Sequence, residues 1–146
     1  MQDRKEGSSA KQGFTLIELL VVIAIIGLLS TIAIVGMNYI RQRARDTRRV
    51  ADINTLQKAL EVYMTANTRY PVVAADVCIT GSDSVSTALK STATVSNVPT
   101  DPLVAWASDP SKCFLYKTND GTSYELRYTL ELNTPVGTAG DHTVKS

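Results

Sequence analysis

The chain has 146 residues and a formal net charge of +1, enough for one modest domain with an appendage. Three of the fifteen basic and two of the fourteen acidic residues fall in Met1–Gly13, so the remainder is neutral. A neutral chain of ordinary composition gives no broad electrostatic case for a nucleic-acid binder.

The first thirteen residues are polar and carry Arg4, Lys5 and Lys11 against Asp3 and Glu6. From Phe14 to Ile40 the run FTLIELLVVIAIIGLLSTIAIVGMNYI holds a single charge, Glu18. As a helix this run is about 40 Å long, and a hydrocarbon core is roughly 30 Å thick. Sixteen of its residues are Leu, Ile, Val or Phe. They favour insertion by about 5–10 kcal/mol in total, against roughly 2.5–3.5 kcal/mol for one central carboxylate. The segment inserts despite Glu18. It is too long for a secretory signal core, lacks an A-x-A site after it, and is apolar on every face, unlike a soluble helix. A glutamate near the start of such a helix suits the helix dipole, but an ordinary membrane anchor needs no glutamate within its first turns.

Arg41–Arg49 then holds five arginines and one aspartate. The leader side has only three Lys/Arg, so charge counting alone retains the C-terminal side in the cytoplasm. No proline occurs before Pro71, and Val50, Ile53, Leu56, Leu60 and Tyr63 recur at helical spacing. The spacing predicts one helix from about Phe14 to Thr65, with an amphipathic second half carrying a head domain on its apolar stripe. Arg49, Asp52, Lys58 and Glu61 supply its polar positions. The arginine cluster fits a nucleic-acid or lipid-headgroup patch, or a solvated helical face with intersubunit ion pairs. The solvated face is the preferred reading.

Tyr70-Pro71 ends the helical region. Ser84–Ser91 is a candidate short helix, and Val98-Pro99-Thr100-Asp101-Pro102 is a turn-rich link. Cys113–Thr118 is a short strand candidate, followed by the turn signal Asn119-Asp120-Gly121. Tyr124, Leu126, Tyr128, Leu130 and Leu132 alternate with Glu125, Arg127, Thr129 and Glu131, the pattern of a half-buried strand. Cys78 and Cys113 both lie beyond the apolar run. Outside the cytoplasm they read as a disulfide closing a loop of about 35 residues, worth roughly 3–4 kcal/mol. Inside it they read as two buried thiols.

The string KQG-FTLIELLVVIAIIGLL, with Gly13 before Phe14 and Glu18 fifth counting from Phe14, resembles the motif of type IV prepilins and type II secretion pseudopilins, with a class III leader. Arg69-Tyr70-Pro71, Val98-Pro99-x-Asp101-Pro102 and Asp120-Gly121-x-x-Tyr124 are similar to the major pseudopilin branch. The resemblance implies an α+β pilin-like fold: a long N-terminal helix on a small C-terminal antiparallel sheet. It implies a leader over 1–13, a transmembrane and filament-core helix over 14–40, an amphipathic helix over 41–67 and a head over 68–146. A separate prepilin peptidase would cut between Gly13 and Phe14, Phe14 would be N-methylated, and Glu18 would pair with a neighbouring subunit's Phe14 amine. The chain departs from a family habit in having no proline near Ile34-Val35-Gly36, where Gly36 offers a site for a bend.

The implied function is a structural filament subunit of the pilus or pseudopilus class. Its partners would be copies of itself, related minor pilins, the peptidase, inner-membrane assembly machinery and, before assembly, membrane lipid. The head would lie outside the cytoplasm, with an extracellular or periplasmic filament after assembly. The rival of a different class is a membrane-tethered binding or sensor domain. An enzyme has no support: His142 is the only histidine, and there is no phosphate-binding glycine loop and no Ser/His/Asp set. Trp106 and the tyrosines read as packing or interface residues. Calcium is the one inorganic candidate, with Asp101, Asp109 and Asp120 as oxygen donors; capping of turns is the preferred role for these aspartates.

Overall fold

The computed structural model describes residues 13–92, 95–104 and 109–146; the leader residues before Gly13, and Trp106, lie outside them. Helix α1 runs Leu16–Asn67 without interruption, so Gly36 stays helical. Its residues belong to two compact units, one ending at Asn38 and the other beginning at Tyr39.

In the first unit the apolar side chains of α1 face outward on all sides, as with Leu16 at 82% and Ile32 at 66% exposure. The helix is long and apolar enough to cross a membrane. Its hydroxyls fit that setting. Ser30 Oγ donates to the Ile26 carbonyl at 2.7 Å, and Thr31 Oγ1 donates to that of Leu28 at 2.7 Å. Donating back to the preceding turn keeps them satisfied where no water is available.

In the second unit the predicted stripe is the core face of α1: Ile53, Leu56, Ala59 and Leu60 are buried. They pack with Ile79, Val85, Leu89, Val98, Phe114, Tyr116, Tyr124 and Leu126. Truncating one of these leucines to alanine costs about 2–5 kcal/mol. Helix α1 closes at Thr68, whose φ of 60° is unusual for a β-branched residue and whose amide donates to the Met64 carbonyl at 2.8 Å. Helix α2 spans Ser84–Ser91 as expected, capped by Asp83, which accepts from the Ser86 amide at 2.9 Å. It buries Val85 and Leu89.

The sheet has strands β1 (Val77–Cys78), β2 (Leu115–Thr118), β3 (Tyr124–Leu130) and β4 (Gly140–Lys145), in that order. All neighbours are antiparallel. Strand β3 buries Tyr124, Leu126 and Leu130 as its alternation predicts, but ends before Glu131 and Leu132. Strand β4, which contains His142, is an addition to the sequence reading. Val144 packs against the core, and the His142 ring stacks on Tyr128 with centroids 5.3 Å apart.

Between β2 and β3, Gly121 has φ 81°, and a side chain there would meet Val72 Cγ2 at 3.0 Å and the Tyr70 carbonyl oxygen at 3.1 Å. Its own carbonyl accepts from the Tyr70 amide at 2.8 Å. Glycine therefore lets the hairpin turn lie against the end of α1.

Candidate functional site

The start of α1 is built by Thr15 and Glu18. The Thr15 amide donates to Glu18 Oε2 at 2.9 Å, the Thr15 hydroxyl donates to the same oxygen at 2.6 Å, and the Glu18 amide donates to Thr15 Oγ1 at 3.3 Å. This is a reciprocal capping box, which satisfies two amides that a helix start otherwise leaves open. The T-x-x-E spacing ahead of an apolar run signals it in the sequence, a signal that the helix-dipole explanation of Glu18 passes over. Both bonds from Thr15 use Oε2; Glu18 Oε1 has no hydrogen-bond partner among the described residues. Phe14, Leu16 and Ile17 around it are exposed. Among the described residues, the first turn thus presents an acceptor oxygen within an exposed apolar surface.

The arginine cluster divides in two. Arg49 is 1% exposed, which corrects its expected place on a solvated face. Its Nε donates to Asp101 Oδ2 at 2.6 Å, and its Nη1 donates to Asp46 Oδ1 at 2.9 Å and Glu131 Oε1 at 2.6 Å. Arg45 reaches the same glutamate, with Nε to Oε1 at 2.7 Å and Nη2 to Oε2 at 2.5 Å. The buried Asp46 also accepts from the amides of Glu131 at 3.0 Å and Leu132 at 2.9 Å. Two guanidinia and three carboxylates therefore tie α1 to the 95–104 segment and to the end of β3. Burial would lower the Arg49 pKa, but the hydrogen bonds to Asp101 and Glu131 outweigh it and raise it. The Arg45 hydrogen bond, with help from Arg49, holds Glu131 below its ordinary 4.5 despite burial. The cluster is a positioning device of the head rather than a reactive site, since every charge in it has an opposite one in contact.

Cys78 and Cys113 form a disulfide with their Cα atoms 5.7 Å apart, fastening β1 to the residues ahead of β2. The calcium candidates are not brought together. Asp101 is engaged by Arg49. Asp109 accepts from the Ser111 amide at 3.0 Å and pairs with Lys112. Asp120 accepts from the Thr122 amide at 2.9 Å. Asp101 also accepts from the Leu103 amide at 2.7 Å, so all three accept from an amide two residues on, and no group of three metal-ligating side chains occurs among the described residues.

An apolar N-terminal helix with one capping glutamate, followed by an amphipathic half packed on a four-stranded antiparallel sheet, is the α+β arrangement of pilin-like proteins. Residues 8–34 match the family described as the prokaryotic N-terminal methylation motif. The chain is 37% identical over 71 residues to the type II secretion system core protein G of Aeromonas hydrophila, covering 49% of this chain and 46% of that one. It is 46% identical over 59 residues to the type IV wide pilus major component PilA4 of Thermus thermophilus, covering 40% and 45%. It is also 46% identical over 52 residues to a fimbrial protein of Pseudomonas aeruginosa, covering 36% and 34%. The similarity thus spans somewhat under half the length of these relatives. No solved structure matches the chain.

Proposed function

We propose that this chain is a structural subunit of a type IV pilus-like or type II secretion pseudopilus filament. In this reading a separate peptidase removes the leader between Gly13 and Phe14, and the new Phe14 amine is methylated. The observation that carries the proposal is the first turn of α1: a lone carboxylate on an apolar exposed stretch of helix, with one oxygen, Oε1, uncommitted among the described residues. An amine from a neighbouring copy would supply the missing partner and offset the cost of a charge in hydrocarbon. Packing many such helices together would cover the apolar surface once the helix leaves lipid. The methylation motif over 8–34, and relatives named as secretion core proteins and pilins, support the same reading.

The anchoring helix would hold the subunit in the inner membrane before assembly, with the head outside the cytoplasm. The filament would then contain copies of this chain and related minor subunits. Intact-mass and N-terminal analysis of native protein tests the proposal directly. A chain beginning at Phe14 with one added methyl group is expected. Membrane-extracted and assembled protein that both retain Met1 would reject it.

A further inference from the structure

Arg41, Arg43 and Arg48 are the exposed members of the arginine run, and of these Arg41 and Arg43 have no ion-pair partner among the described residues. The carboxylates that could have served them are occupied. Asp46 and Glu131 belong to the buried cluster, and Asp52 pairs with Arg48 at 3.4 Å. The two free guanidinia follow Ile40, the last residue of the apolar run, and Tyr39 beside it is 50% exposed. Two positions apart on a helix, Arg41 and Arg43 project about 200° from each other. A single protein neighbour on one side of the helix cannot engage both. A layer that surrounds the helix can.

We propose that Arg41 and Arg43 bind the phosphates of anionic phospholipids at the membrane surface on the head side, with Tyr39 seated at the same level. This rests on the anchoring step of the filament reading and adds the lipid class to it. Guanidinium groups suit phosphate because they present paired donors in a plane. Aromatic residues with a polar tip concentrate at the same depth. Each arginine near an anionic surface is worth about a fivefold gain in binding, so the pair yields roughly an order of magnitude or more at low salt. A subunit leaving the membrane for a filament would have to exchange these headgroups for other anions.

The test incorporates the full chain into vesicles of phosphatidylcholine mixed with phosphatidylglycerol. The lipid retained by gently extracted protein is then quantified by mass spectrometry. The wild type should retain phosphatidylglycerol several-fold above its share of the vesicle. R41Q/R43Q should lose that enrichment, R41K/R43K should keep most of it, and R48Q, whose arginine already has Asp52, should resemble the wild type. Equal enrichment in the wild type and R41Q/R43Q would overturn the inference. So would a double variant that keeps the enrichment yet is excluded from filaments, which would assign the arginines to a neighbouring copy. A chain that enters the vesicles without headgroup preference defeats this inference alone. A chain that fails to enter them defeats the anchoring step as well.

Discussion

Glu18 caps α1 through Oε2, and substitutions can separate that role from the proposed pairing with a neighbouring amine. Glutamine preserves a capping box but carries no charge. If pairing with a neighbouring amine drives assembly, Glu18→Gln and Glu18→Ala should both insert normally, fold normal heads and yield few filaments. Leaving a buried cation unpaired costs about 3–5 kcal/mol. If capping is the whole role, glutamine should restore filament yield, and comparing yield against the cleaved membrane pool decides between them. Arg49 makes a different demand. Arg49→Ala strands the buried Asp46 and Asp101 and should lower head stability by about 3–5 kcal/mol in urea unfolding. Glu131 is held below its ordinary 4.5, so its contribution is complete above that range and fades as the pH falls beneath it. Asp52, raised chiefly by burial, acts in the opposite direction. The melting temperature should therefore fall between about pH 5 and about pH 3 less steeply in Glu131→Gln than in the wild type. The burial of Arg49 was not legible in the sequence. Its partners Asp101 and Glu131 lie 52 and 82 positions away, and an arginine among arginines reads as solvated.

The elements were legible wherever a period and a boundary coincided. Ile53, Leu56 and Leu60 declare a helix face, and Tyr124 to Leu130 alternate cleanly. Strand β4 was not legible, because only His142 and Val144 are half-buried and its other residues, Gly140, Asp141, Thr143 and Lys145, are exposed and give no apolar alternation. Its register comes from pairing with β3, which sequence alone does not reveal. Strand β1, two residues long, contains Cys78 and is tied by the disulfide to Cys113. Replacing Cys78 and Cys113 with serine should cost about 2–4 kcal/mol. Hydrogen exchange should then rise at the Ile79 amide, which donates to the Phe114 carbonyl at 2.8 Å. Gly121→Ala should destabilise the head by more than about 1 kcal/mol, because alanine meets both an unfavourable φ and the Val72 and Tyr70 atoms. Thermal unfolding of the variant measures it.

At the scale of the molecule, the described residues form an apolar unit with an exposed surface and a head with a buried core of its own. That division agrees with a subunit that folds alone and assembles through its helix. Asp46 adds a constraint on how the head can be isolated. The apolar stripe of α1 starts near Val50, so a recombinant fragment trimmed to that stripe would seem to contain everything the core requires. Such a fragment would lack Arg45, Asp46 and Arg49, and would leave the amides of Glu131 and Leu132 without their acceptor and the carboxylate of Asp101 without its guanidinium donor. A piece starting at Tyr39 should unfold cooperatively, whereas one starting at Val50 should be aggregation-prone despite its intact core. The true edge of the autonomous head is thus set by an aspartate ahead of its first core residue.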